Sequence, residues 1–144
     1  MNSKPRHVLV TGASSGIGAG IAQAFAADGA RVTATGATAA EVDSARVRPE
    51  MQGIELVVLD VRDDAAVRAL VLAQGELDVV VNCAGIIRRS AEHEPEAFAQ
   101  VIDINLTGTM RVCAAARAGL KARGGCIVNT ASMLSFFGGG LVPG

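Results

Sequence analysis

His7-Val8-Leu9-Val10-Thr11-Gly12-Ala13-Ser14-Ser15-Gly16-Ile17-Gly18 runs from an apolar strand through a glycine-rich turn into a helix. The helix shows in Ile17, Ile21, Ala24 and Phe25, which recur at i, i+4, i+7 and i+8 and therefore share one face. Gly12 lets the backbone turn sharply out of the strand, and Gly16 and Gly18 keep side chains away from the first helical N–H groups. A pyrophosphate is drawn to such a helix end, because its unbonded N–H groups and the helix dipole both present positive charge. The spacing is GxxxGxG and departs from the general dinucleotide pattern GxGxxG. A plain strand-to-helix connection is the competing reading, and the strand before and helix after favour a phosphate cradle.

Outward from this stretch, strand-like and helix-like segments alternate. Residues 7–11, 31–35, 54–59, 77–81 and 126–130 are short, rich in Val, Ile and Leu, and read as strands buried on both faces. Helical patterns lie between them: the one from Ile17, a weaker one around Ala39–Ala45, one through Val67, Leu70 and Val71, and a long one from about Phe98 to Lys121. Five strands joined by four helical crossovers predict the α/β class, a Rossmann-type doubly wound parallel sheet with strand order 3-2-1-4-5, in one domain over residues 1–144. After the fifth strand comes Ser132-Met133-Leu134-Ser135-Phe136-Phe137-Gly138-Gly139-Gly140, with no helix to return. That leaves Ile127-Val128 on an unprotected edge, an aggregation liability, so the chain is expected to be the amino-terminal part of a longer protein, its last strands missing.

Composition bounds the function. Half of the 144 residues are hydrophobic, enough for one sizeable core, and 13 basic against 14 acidic residues leave a net charge of −1. With no basic stripe or interleaved aromatics, nucleic acid is not an expected partner. The start, Met1-Asn2-Ser3-Lys4-Pro5-Arg6-His7, is positively charged, but the apolar run after it is too short for a secretory signal. The longest uncharged stretch, Gly124 to Gly144, contains six glycines together with Asn129, Thr130, Ser132, Ser135 and Pro143, which lipid cannot satisfy, so no membrane span is expected. Cys83, Cys113 and Cys126 are odd in number and form no CxxC pair. They read as buried small hydrophobes in a reduced, cytoplasmic protein, and no metal site is expected.

Ligands bind such sheets at the carboxyl ends of the strands. The third strand ends in Leu59-Asp60-Val61, where Asp60 accepts from an adenine amino group or caps the next helix. The fourth ends in Asn82-Cys83-Ala84-Gly85, whose small residues allow close approach of a ribose or nicotinamide, or simply leave the strand. The second ends in Thr35-Gly36-Ala37, with neither the acidic residue that recognises a ribose 2′-hydroxyl nor the arginine that recognises a 2′-phosphate. Gly36 leaves room for a phosphate without a countercharge, so NAD and NADP both stay open. Asn105 lies four residues beyond Val101 and three beyond Ile102, predicting a buried asparagine that either braces the helix against the sheet or bonds backbone and water in a proton path. Ser132 follows the fifth strand, where a hydroxyl can hydrogen-bond a substrate carbonyl as hydride arrives. No GxSxG surrounds it, and His7 and His93 read as surface or structural residues, so it is not a hydrolytic nucleophile.

Thr11-Gly12-x-x-x-Gly16-Ile17-Gly18, Asp60-Val61, Asn82-Cys83-Ala84-Gly85, Asn105 and Ile127-Val128-Asn129-Thr130-Ala131-Ser132, in this order along the chain, resemble the short-chain dehydrogenase/reductase family. The resemblance implies that Gly12, Ser14, Ser15, Gly16, Ile17 and Gly18 hold the pyrophosphate, Asp60 and Val61 the adenine, and Asn82, Ala84 and Gly85 the ribose and nicotinamide side. It implies Asn105 and Ser132 as two members of an Asn-Ser-Tyr-Lys tetrad. Cys83 stands where the family usually has a second asparagine. The family's tyrosine would fall immediately after Gly144, with its lysine beyond, and this chain contains no tyrosine. The 144 residues alone are therefore expected to be inactive.

Ala84-Gly85-Ile86-Ile87-Arg88-Arg89 and Ala131-Ser132-Met133-Leu134-Ser135-Phe136 also resemble segments of the sugar-acid branch, the 2-deoxy-gluconate 3-dehydrogenases and gluconate 5-dehydrogenases. Arg88 and Arg89 then either clamp a substrate carboxylate or are solvated loop charges. The resemblance implies an NAD(P)-dependent oxidoreductase acting on a secondary alcohol or ketone, a sugar acid in this branch, and a homotetramer or homodimer when complete. The alternative is a noncatalytic dinucleotide-binding or scaffold protein. A flavodoxin-like or P-loop protein is excluded, since no GxxxxGK[ST] is present and the first loop fits a dinucleotide.

Overall fold

A computed structural model describes residues 4–144, so the first three residues of the stretch weighed as a leader lie outside the described residues. In chain order the elements are β1 (His7–Thr11), α1 (Gly16–Ala27), β2 (Arg31–Gly36), α2 (Ala39–Arg46), β3 (Glu55–Val58), α3 (Asp64–Gln74), β4 (Val79–Asn82), α4 (Pro95–Ile102), α5 (Thr109–Arg123), β5 (Cys126–Asn129) and α6 (Leu134–Phe137). The five strands form one parallel sheet in the order β3-β2-β1-β4-β5, the doubly wound order expected from the alternation.

Each face of the sheet has its own core, because successive residues of β1 point to opposite sides. Val8 and Val10 pack with Ala19, Ala22, Val42 and Ala45 beneath α1 and α2. Leu9 packs on the other side with Val67, Val112, Ala116 and Leu120 of α3 and α5. Local chemistry sets the helix ends. Thr38 caps α2 by accepting from the Glu41 N–H at 3.2 Å, Asp63 caps α3 by accepting from the Ala66 N–H at 3.0 Å, and α5 ends at Gly124 in the left-handed conformation.

Charged groups fasten the amino-terminal rim of the sheet. Asp78, just ahead of β4, accepts from the His7 N–H at 2.8 Å and from Arg123 Nη2 at 2.8 Å, while Glu76 pairs with both Lys4 and Arg123. His7 itself is buried and has a structural place, its Nε2 lying 3.5 Å from Thr33 Oγ1.

The structure corrects four expectations. β1 and β4 are buried throughout and β2 after Arg31, but β3 and β5 are edge strands and are not buried on both faces; Val128 on β5 is 49% exposed. For the same reason the thiols are not all buried: Cys83 and Cys113 are half-buried and Cys126, on β5, is exposed. A one-turn helix, α6, forms after Ser132 where none was expected. Finally, the long helix is interrupted: Asp103–Gly108 is a π-helical segment between α4 and α5. The 100° step that placed Asn105 on the face of Val101 and Ile102 does not run through this segment, and Asn105 is exposed. Gly108 lets the widened turn pass close to Val61, whose Cγ2 would be 2.5 Å from any added Cβ.

Candidate functional site

The exits of β1 and β4 are locked together at the carboxyl end of the sheet. Thr11 is buried, and its Oγ1 accepts from the N–H groups of both Cys83 and Ala84 at 3.3 Å. The next residue, Gly12, has φ +62°, and a Cβ there would lie 2.5 Å from Ala84 Cα and 2.6 Å from Ala84 N. Glycine is required at that point on both counts. Gly16 also has positive φ, +56°, but faces open space. Gly18 lies against Gly12 O, so the first turn of α1 sits directly on the loop. Ser15 caps α1 only by backbone, with no side-chain hydrogen bond, whereas Thr38 and Asp63 close the ends of α2 and α3. The N–H groups at the start of α1 thus have no side-chain partner and are open to water or a ligand.

A cleft of about 270 Å³ opens beside this loop. The loop contributes Gly12, Ser14 and Ser15, the exit of β3 contributes Asp60 and Val61, and the exit of β4 contributes Ala84 and Gly85. Gly36 lies behind Ser14, whose Cβ would be 2.9 Å from an added Cβ. Asn82 is buried next to the cleft: its Nδ2 donates to Asn129 Oδ1 at 2.9 Å, and its Oδ1 has no partner among the described residues.

The charged groups lining the cleft are Asp60, Arg62 and Glu41. Asp60 is held by Arg62, whose Nη2 donates at 2.6 Å and whose N–H donates at 2.9 Å. The side-chain bond to Arg62 is the main reason the Asp60 carboxyl sits below the usual carboxylate range, against the opposing effect of its partial burial. The cap of α3 is Asp63, so Asp60 does not have the capping role weighed for it. Glu41, from the first turn of α2, also lines the cleft; its Oε2 accepts from the Ala37 N–H at 2.9 Å and from Ser14 Oγ at 3.4 Å.

The sequence pattern of the family described as short chain dehydrogenase matches residues 6–143. The chain belongs to the short chain dehydrogenases. It is 42% identical over 134 residues to L-xylulose reductase from Homo sapiens, covering 90% of this chain and 54% of that protein. It is 36% identical over 133 residues to 2-keto-3-deoxy-L-fuconate dehydrogenase from Xanthomonas campestris, covering 90% of this chain and 44% of that one. Among solved structures, an actinorhodin polyketide ketoreductase with NADPH superposes with a TM-score of 0.86 at 33% identity, over 96% of this chain and 57% of that one. The chain spans about half the length of the curated relatives it matches.

Within this short chain dehydrogenase chain, the residues read from sequence divide into those gathered at the cleft and those outside it. Ser132 is exposed, does not line the cleft, and uses its Oγ to accept from the Leu134 N–H at 3.1 Å. Arg88 and Arg89 are exposed on the loop after β4 and also lie outside the cleft lining. Asn105 is tied to that loop through the backbone of Ile86, and Gly85 passes over its side chain, an added Cβ being 3.3 Å from Asn105 Oδ1. Sequence reasoning missed Glu41 and Arg62. The signals were present: Thr38-x-x-Glu41 has capping-box spacing, and Asp60-x-Arg62 puts opposite charges two residues apart at a strand exit. Among the described residues, no helix is long and apolar enough to cross a membrane, and no group of three or more His, Cys, Asp or Glu is placed to hold a metal ion.

Proposed function

We propose that this chain is the coenzyme-binding part of an NAD(P)-dependent oxidoreductase that moves a hydride between nicotinamide and a secondary alcohol or ketone. The observation that carries the reading is the Gly12–Gly18 loop, packed on the exit of β4 and leading to a helix start with no side-chain cap. Gly12, Ser14, Ser15, Gly16, Ile17 and Gly18 would hold the pyrophosphate on backbone N–H groups. Asp60 and Val61 would take the adenine and Asn82, Ala84 and Gly85 the ribose and nicotinamide side, while Gly36, buried behind Ser14, would act by letting the glycine loop close on β2 and not by leaving room for the ribose. The orphaned, buried Oδ1 of Asn82 fits a ligand or bridging water at this point. The nicotinamide, when bound, supplies or takes the hydride.

Ser132 would hydrogen-bond the substrate oxygen where charge develops. Asn105 would support that centre by holding the β4 loop and a water path toward a proton donor outside this chain. A sugar acid is the proposed substrate class, with Arg88 and Arg89 as cations for its carboxylate: neither makes an ion pair among the described residues, and a relative is named for acting on 2-keto-3-deoxy-L-fuconate. A cytoplasmic homotetramer or homodimer is the proposed state of the complete protein.

In the complete enzyme, Ser132→Ala is expected to lower kcat by orders of magnitude while leaving coenzyme affinity nearly intact; equal loss of both would overturn the assignment. The second reading, a noncatalytic dinucleotide-binding or scaffold protein, is favoured by one observation, the engagement of Ser132 Oγ with Leu134 outside the cleft. Intact mass of the purified protein separates the two readings. A value near 14.6 kDa supports the second, and one near a 250-residue subunit, roughly the upper range of a single domain, supports the first.

A further inference from the structure

We infer that Glu41 sets the coenzyme preference of the cleft, accepting from the adenosine ribose hydroxyls of NAD(H) and repelling the 2′-phosphate of NADP(H). This rests on the dinucleotide reading proposed above. β2 ends in Thr35-Gly36-Ala37, which offers neither an acid for a ribose nor an arginine for a phosphate. The carboxylate arrives instead from the next helix.

Thr38 and Glu41 have the spacing of a capping box, and half of that box forms, since Thr38 Oγ1 accepts from the Glu41 N–H. The reciprocal half would return the carboxylate to the Thr38 N–H. Glu41 Oε2 reaches one residue further back, to the Ala37 N–H at 2.9 Å, and takes the Ser14 hydroxyl at 3.4 Å. The carboxylate is thereby drawn over the exit of β2 and up to the glycine loop, where it is exposed and lines the same cleft as Gly12, Ser14 and Asp60. Gly36 makes this approach possible, because a side chain at that position would strike Ser14. Both bonds fall on Oε2, and a carboxylate has about four acceptor positions, so Oε1 is left for a ligand's hydroxyl.

Two cations stand near, and of these only Arg62 is closed on a carboxylate, Arg48 Nε having no hydrogen-bond partner among the described residues. Arg48 Nη2 donates to Ser14 O at 2.5 Å and its Nε is 4.0 Å from Glu50, while Arg62 is closed on Asp60. A 2′-phosphate entering this end of the cleft meets the Glu41 charge, while Arg62, the cation that lines the cleft, is paired with Asp60 and Arg48 stays outside the lining.

Calorimetric titration of the purified protein with NADH and with NADPH tests the inference. NADH is expected to bind at least about tenfold more tightly, because juxtaposed like charges cost more than one tenfold step of affinity. High salt should narrow the ratio. Glu41→Gln, which keeps a hydrogen-bonding oxygen and loses the charge, should raise NADPH affinity about tenfold and move NADH by less. The ratio in the unmutated protein and its salt dependence read the inference without any variant. A preference for NADPH, or a ratio unchanged in Glu41→Gln, overturns the role of Glu41 and leaves the cleft a dinucleotide site. Failure of both coenzymes to bind overturns the dinucleotide reading, and the role of Glu41 with it.

Discussion

Asn105 and Ile86 exchange two hydrogen bonds: the Ile86 N–H donates to Asn105 Oδ1 at 2.8 Å, and Asn105 Nδ2 donates to Ile86 O at 2.9 Å. One side-chain amide thus does for the loop after β4 what a neighbouring strand would do, satisfying a backbone donor and acceptor together. Asn105→Ala is expected to cost about 1–2 kcal/mol, two ordinary hydrogen bonds on a partly solvated loop. Asn105→Asp sets a carboxylate oxygen against Ile86 O. It should cost as much at neutral pH and regain stability as the pH falls and the new carboxyl protonates. Denaturant midpoints of the three proteins at pH 7 and pH 4.5 check this, and equal stability of all three would refute the bracing role.

Gly12 and Gly16 both have positive φ and differ in what surrounds them. Gly12→Ala adds a backbone collision with Ala84 to the conformational penalty and should cost about 3 kcal/mol or more, with loss of dinucleotide binding. Gly16→Ala meets nothing and should cost about 1 kcal/mol. Thermal melts of the two variants should therefore separate clearly; comparable losses would mean that contact with Ala84 is not what demands glycine at position 12.

Asp78 joins the start of β1 to the end of α5. The His7 N–H, and next Arg123, hold its carboxyl below the usual range. Asp78→Asn is expected to cost about 1–3 kcal/mol at pH 7, the range for hydrogen bonds to a charged group. The sign with pH follows from the depressed value. The Asp78 contribution is complete above its ordinary value of 3.8 and is lost as the pH falls through the folded-state value, so the variant and the parent should converge in acid.

His7 titrates in a higher window. Burial, and then the Arg31 charge, push its imidazole below the ordinary value of 6.5, while Glu76, Gln74 and Glu55 act in the opposite sense. The unfolded chain therefore binds the His7 proton more readily than the folded one. Stability from this group is complete above pH 6.5 and declines as the pH falls from there to the folded-state value. Melting temperatures between pH 7.5 and pH 5.5 should drop in the parent and drop less in His7→Gln; parallel slopes would place the effect on another group.

Much of this fold is legible from residues 7–18 and the strand-helix alternation, because the apolar runs are short, the strands are parallel, and the crossovers have one hand. The strand exits at Asp60, Asn82 and Gly36 could be placed for the same reason. Less legible is whatever depends on side chains meeting across elements. Glu41 looks like a cap until the loop at Ser14 is seen to stand beside it, and Asp60 looks uncommitted until Arg62 closes on it. Asn105 lies in a π-helical segment, where a 3.6-residue period does not hold and which composition does not announce. Ser132 and the two arginines follow loops whose course is set by backbone geometry rather than by apolar spacing.

The amino-terminal rim, fastened by Asp78, Glu76, Arg123 and Lys4, lies a full strand length from the glycine loop. The rim and the cleft are therefore held by different sets of residues. Changes along the rim can harden or soften the scaffold for heat or acidity without reshaping the cleft beside the glycine loop.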